Sequence, residues 1–144
     1  MDSKHWNDIY AKKTDSQLSW YQEVPLKSLE LIGELNLELQ DHIVDIGGGN
    51  SRLVDNLLSK GFSNIDLLDI SSVVLENTKK RLGQGAQKVT FITSDITKFQ
   101  TSSQYKLWHD RAVFHFLTSP DDITNYVNLV GSHVEKDGYF IIST

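Results

Sequence analysis

Val44-Asp45-Ile46-Gly47-Gly48-Gly49-Asn50-Ser51 is the stretch of this 144-residue chain whose residue types and spacing point most directly to chemistry. Glycines that follow a short apolar run let backbone approach a ligand closely, and open α/β folds bind ligands at the carboxyl ends of their strands, where such loops lie. A dinucleotide fingerprint requires Gly-x-Gly-x-x-Gly. Counting from Gly47 satisfies Gly47 and Gly49 but puts Arg52 in the third place, and counting from Gly48 fails at Asn50. Asp45, two residues before the first glycine, sets a negative charge at the strand end that would repel a pyrophosphate. A ligand that lacks phosphate and carries positive groups suits this loop better. S-adenosylmethionine (SAM), with an ammonium and a sulfonium, is such a ligand.

Asp69 ends a second apolar run 24 residues after Asp45, close to the spacing at which an acidic residue accepts hydrogen bonds from ribose hydroxyls. Ser94-Asp95-Ile96 follows a third run; a short polar side chain there can accept from an adenine amino group while Ile96 packs on the ring. Asp95 has a second reading, as the cap of the next turn. His109 and His115 are the bases available near neutral pH, although His115 sits among Phe114, Phe116 and Leu117 at the spacing of a packed histidine. Trp20 and Tyr21 are candidates for the roof of an acceptor pocket, or simply for core. Asp110 and Arg111 can form an ion pair at a strand end. No His/Asp/Glu set has metal-ligand spacing beyond chance.

From residue 43 onward, short β-rich apolar runs alternate with helical patterns, the signature of βαβ units around a parallel sheet, so the fold class is α/β. The expected strands are 43–46, 65–69, 89–92, 105–108 and 139–142, with four helices between them. Gly61 and Gly83 stand where helices beginning near Leu53 and Val73 would stop. Ser119-Pro120-Asp121-Asp122 supplies an N-cap, a proline at the first helical position and first-turn carboxylates for a helix through Ile123, Tyr126 and Val130. Lys136-Asp137-Gly138 is expected to turn the chain into the last strand. Residues 1–42 lack the alternation and are read as an N-terminal helical cap on the same domain, 43–144 being its ligand-binding core.

Asp45-x-Gly47-x-Gly49, the acid Asp69 and Asp95 after the third strand, in this order and spacing, resemble the successive cofactor motifs of class I SAM-dependent methyltransferases. The pattern Trp6, Tyr10, Ser19-Trp20-Tyr21-Gln22 and Ser28-Leu29 and the segment Trp108-His109-Asp110-Arg111-Ala112-Val113-Phe114-His115-Phe116-Leu117 further resemble a group of bacterial methyltransferase-domain proteins. The resemblance implies a Rossmann-like parallel sheet of order 3-2-1-4-5 with helices on both faces. It also implies a SAM site in which Asp45, Gly47, Gly48 and Gly49 line the methionine and ribose side, Asp69 with Ile70 holds the ribose, Asp95 and Ile96 the adenine, and His109 and Arg111 lie beside the sulfonium. Family members normally continue through a helix and two further strands, so this chain is expected to be truncated after its fifth strand, with strands 6 and 7 missing. An open fifth strand would then invite self-association.

Composition bounds the remaining classes. A formal charge of −5, from 14 basic and 19 acidic residues, argues against a phosphate-tracking surface, and no Lys/Arg cluster extends beyond Lys79, Lys80 and Arg81. Nucleic-acid partners are therefore not expected, and neither is a membrane, for want of a long apolar stretch. The absence of cysteine removes thiolate chemistry and suits a reducing compartment, so cytoplasm is the expectation. Three function classes follow: a methyltransferase acting on a small-molecule or protein acceptor, a non-catalytic SAM-binding or interaction module, and, disfavoured by Asp45 and Arg52, a nicotinamide-dependent oxidoreductase.

Overall fold

A computed structural model of the chain describes residues 2–13, 25–111 and 113–144. Five strands, β1 (Ile43–Ile46), β2 (Ile65–Asp69), β3 (Val89–Thr93), β4 (Tyr105–Asp110) and β5 (Val134–Ile142), form one parallel sheet in the order β3-β2-β1-β4-β5. Among the described residues five α-helices accompany them: α1 (Ser3–Lys12), α2 (Leu26–Glu34), α3 (Leu53–Ser59), α4 (Ser72–Leu82) and α5 (Pro120–His133). The strand order reverses at β1, so a crevice opens beyond the carboxyl ends of β1 and β4, where a doubly wound sheet binds its ligands.

The strands read as continuous apolar runs because both faces of the sheet are covered. Every residue of β1 and β2 is buried. Side chains alternate between faces: Ile43, Ile65, Leu67 and Leu107 enter a core with α1 to α4, whereas Val44, Ile46, Leu68 and Trp108 enter a second core with Tyr126 and Val130 of α5. The helix ends follow local chemistry. Ser71 caps α4 by accepting from the Val74 N–H at 3.3 Å, and Gly83 closes it at φ +57°. Gly61, at φ +98°, follows α3 in the same way.

Two expected features are corrected. The connection from β3 to β4 contains only a 3-10 turn, Ile96–Lys98, so three α-helices and not four lie between the strands. Its sequence is rich in Ser and Thr, whose hydroxyls compete for backbone groups; Ser103 N–H donates to Thr101 Oγ1 at 3.0 Å. At the other end, Lys136-Asp137-Gly138 does not precede the last strand. β5 begins directly after α5 at Val134, and the register jumps from Tyr105 paired with Val134 to Leu107 paired with Tyr139, leaving the intervening residues as a bulge. Gly138 is required there: a Cβ would stand 2.9 Å from the Glu135 carbonyl oxygen and 3.0 Å from that of Lys106.

Tyr126 joins α5 to the sheet. Its hydroxyl donates to Asp110 Oδ2 at 2.5 Å and accepts from Trp108 Nε1 at 3.1 Å, all three residues being buried. Burial, reinforced by the Asp110 charge, pushes the phenol far above its ordinary range, so it remains a donor. Tyr126→Phe strips both neighbours of a partner and is expected to lower stability by about 1–3 kcal/mol, read as a reduced midpoint in urea unfolding with an unchanged m-value.

Candidate functional site

The loop after β1 is shaped by the carboxylates packed against it. Gly47 adopts φ +66°, a conformation that favours glycine, while its N–H donates to the Leu68 carbonyl at 2.7 Å. A side chain on Gly48 would collide with the carboxylate of Asp45. Gly49 turns its N–H onto Asp69 Oδ2 at 3.1 Å, and its carbonyl accepts from the Thr78 hydroxyl of α4. The loop is thus a set of backbone groups folded around two acids at the ends of adjacent strands.

Both acids are almost wholly buried, Asp45 2% and Asp69 4% exposed. Asp69 Oδ1 accepts from Ser71 N–H at 2.9 Å. Burial, with the Asp45 charge in support, still outweighs these N–H donors and pushes the Asp69 carboxyl up to about 6. Asp45 Oδ1 lies 2.8 Å from Nδ1 of His109, its register partner on β4, and Asp45 Oδ2 is buried with no hydrogen-bond partner. The far nitrogen of His109, Nε2, is 2.9 Å from Ser28 Oγ on α2.

A cavity of about 370 Å³ opens at this point. Of the residues expected from the sequence, Asp45, Gly47, Gly48, Asp69, Ile70, Ile96, His109, Arg111 and His115 line it. Gly49 does not, and neither does Asp95: its Oδ1 accepts from the Thr97 N–H at 2.9 Å and the Thr97 hydroxyl at 2.8 Å, so the carboxylate caps the turn 96–98. Desolvation acts to raise this acid, but the Thr97 bonds prevail and its pKa is lowered. On that side Ser94 is the lining residue next to Ile96. Trp20 and Tyr21 fall outside the described residues.

Both ring nitrogens of His109, one of the two bases expected from the sequence, are hydrogen-bonded, to Asp45 and to Ser28. Asp110 does not serve as an ion-pair partner to Arg111 across the strand end; its carboxylate receives the Val113 N–H at 2.8 Å, the Phe114 N–H at 3.2 Å and the Tyr126 hydroxyl. His115 lies in the exposed turn 114–116, its ring 4.2 Å from that of Phe116. Sequence reasoning missed Trp6, Tyr10, Asn50 and Phe116 as lining residues. Trp6 and Tyr10 carried a signal: four apart on α1, they stack at 6.3 Å, and Tyr10 donates to Asn50 Oδ1 at 3.3 Å in the glycine loop. Trp6 meets Phe116 edge-on at 5.5 Å.

These residues fit SAM as a cofactor. Two buried carboxylates, one with an orphaned oxygen, favour a ligand with positive groups and hydroxyl donors over a pyrophosphate. Among the described residues no group of three or more His, Asp or Glu is arranged to hold a metal ion, and no helix is long and apolar enough to cross a membrane.

A family model described as a methyltransferase domain matches residues 37–144. This chain belongs to that family. Malonyl-[acyl-carrier protein] O-methyltransferase 2 of Ilyobacter polytropus is 27% identical over 150 residues, which cover all of this chain and 55% of that protein. The eEF1A lysine and N-terminal methyltransferase of Bos taurus is 26% identical over 98 residues, 67% of this chain and 13% of its own length. The chain therefore spans about half, or less, of the curated relatives it matches. Among solved structures, an S-adenosylmethionine-dependent methyltransferase from Clostridium acetobutylicum superposes with a TM-score of 0.72 at 23% identity, covering 96% of this chain and 56% of that one. Glycopeptide N-methyltransferase MtfA complexed with SAM superposes at 0.68 and 19% identity, covering 81% and 52%. The fold of the methyltransferase domain is accordingly Rossmann-like, with the strand order expected from the sequence.

Asp69 makes a signed prediction about stability. Its carboxyl binds a proton more tightly in the folded state, near 6, than at its ordinary value of 3.8, so its contribution is most favourable below about 4 and is lost as pH rises through 6. Urea unfolding of the methyltransferase domain and its Asp69→Ala variant at pH 4 and pH 7 is expected to show wild type losing about 2 kcal/mol more than the variant over that interval.

Proposed function

We propose that the chain is the cofactor-binding core of a SAM-dependent methyltransferase acting on a small-molecule or protein acceptor. The observation that carries this reading is the pair of buried acids, Asp45 and Asp69, at the ends of adjacent strands and lining the cavity, with Asp45 Oδ2 unpartnered. Asp45 would receive the ammonium of SAM, the Asp69 carboxylate the ribose hydroxyls, and Ser94 with Ile96 the adenine, with Ile70 packing beside the ribose. Arg111 would lie toward the sulfonium end. The names of the relatives, an O-methyltransferase of malonyl-[acyl-carrier protein] and a lysine and N-terminal methyltransferase of eEF1A, leave the acceptor of this chain open.

SAM supplies the difficult electronics, a methyl group on a sulfonium that departs as a neutral thioether. The protein's own task is to position the acceptor in line with the carbon–sulfur bond and to keep water away. His115, exposed at the cavity beside Phe116, would take the proton that an amine or hydroxyl acceptor loses as its lone pair forms the new bond to carbon. The N-terminal helix α1 would serve as part of a cap, since Trp6 and Tyr10 form part of the cavity wall. A cytoplasmic setting, on the absence of cysteine, belongs to the same reading. Because the chain spans only 55% of its first relative, a SAM-binding module without turnover is the second reading, and SAM consumption across an acceptor panel separates the two.

The exposed apolar side chains of β5, Tyr139, Phe140 and Ile142, support self-association through that edge. Sedimentation velocity is expected to show a concentration-dependent oligomer; a monomer at every concentration would sink the idea. The cofactor reading is tested by calorimetric titration with S-adenosylhomocysteine, NAD serving as control. The former alone is expected to bind, and Asp69→Ala to weaken it by about 10- to 100-fold, the scale of one or two hydrogen bonds to a charged group. Binding of NAD in its place would overturn the reading.

A further inference from the structure

Ser28 belongs to α2, far from the glycine loop in sequence, yet it is 7% exposed and its Oγ stands 2.9 Å from His109 Nε2. His109, 2% exposed, passes the contact on through Nδ1 to Asp45 Oδ1 at 2.8 Å. Asp, His and Ser in this order form the nucleophile of many hydrolases. Here the serine does not line the cavity and is itself buried on α2, so its oxygen is not presented to a substrate carbonyl. The chain of bonds must therefore act on its other end, the carboxylate of Asp45.

A histidine held at both nitrogens has a fixed ring plane and, when neutral, a fixed tautomer. The carboxylate takes the proton on Nδ1, which makes Nε2 an acceptor for the Ser28 hydroxyl. Asp45 Oδ1 is thereby occupied, and the side chain is pinned from the β4 side while Gly48 packs against it from the loop. Its second oxygen is buried and without a partner, on a residue that lines the cavity. We propose that Ser28 is a positioning residue for the cofactor: acting through His109, it orients Asp45 so that Oδ2 meets the ammonium end of SAM. The cap helix α2 is then part of the cofactor site although it does not touch the cavity. This inference rests on the SAM-binding reading above.

The test is calorimetric titration of wild type, Ser28→Ala and Ser28→Thr with two ligands, S-adenosylhomocysteine and 5′-methylthioadenosine. The second keeps the adenosine and the thioether but lacks the ammonium. Ser28→Ala is expected to weaken S-adenosylhomocysteine about tenfold, the scale of one buried hydrogen bond, while leaving 5′-methylthioadenosine within about twofold. Ser28→Thr, which keeps the hydroxyl, is expected to restore the loss. An equal loss of both ligands would mean that Ser28 only supports the fold, and unchanged S-adenosylhomocysteine affinity would mean that it does not act on Asp45; either result overturns the proposal. Wild type that binds neither ligand would sink the cofactor reading, and this inference with it. Nitrogen-15 NMR of the wild-type imidazoles gives a readout independent of any variant: His109 is expected as the Nδ1–H tautomer, and an Nε2–H tautomer would refute the relay.

Discussion

Asp45 and Asp69 end adjacent parallel strands, each nearly removed from water, and like charges so placed repel one another while both lose hydration. Much of the surrounding structure compensates for that one arrangement. Backbone N–H groups of Gly49 and Ser71 turn onto Asp69, and His109 rises on β4 beside Asp45 to supply an N–H from the other side. The glycines are small because the acids occupy the space their side chains would need. What the protein leaves uncompensated, the outer oxygen of Asp45 and the raised pKa of Asp69, is what a cationic, hydroxyl-bearing ligand would complete.

The N-terminal helices are anchored to this region by polar contacts as well as by packing. Asn7 Oδ1 accepts from the Ser71 hydroxyl at 2.6 Å, Tyr10 donates to Asn50, and Ser28 reaches His109. Each tether ends on a different part of the cavity's frame: the start of α4, the glycine loop and the end of β4. Apolar contacts from Trp6, Ile9 and Leu29 to the core beneath α3 and α4 supply the bulk of the attachment, and the tethers fix its register.

Legibility in the sequence followed locality. β1 and β2 appear where their apolar runs predict, because a doubly covered parallel strand has a composition no surface element shares. Gly61 and Gly83 end their helices with the positive φ that marks such residues. Asp45 and Asp69 stood out because a charge at the end of an apolar strand is costly without a reason. The rest depended on partners the local sequence does not name. Asp95 was legible only as one of two alternatives, and Thr97, two residues on, takes its carboxylate. Lys136 to Gly138 have turn chemistry, but pairing with β4 absorbs them as a bulge. Ser28, quoted only as part of a family-like pattern, meets a histidine 81 residues away, and a serine between Lys27 and Leu29 does not itself announce that contact.

His109 and Asp110 are consecutive on β4 and face opposite sides of the sheet, one toward Asp45 and α2, the other toward Tyr126 and α5. The two cores are thereby keyed to a single register. A one-residue insertion or deletion within β4 would exchange them, setting a carboxylate against Asp45 and an imidazole against the buried phenol. Length variation in β4 is therefore closed to this domain, and divergence of its chemistry has to pass through the loops and the cap, whose tethers can be remade one at a time.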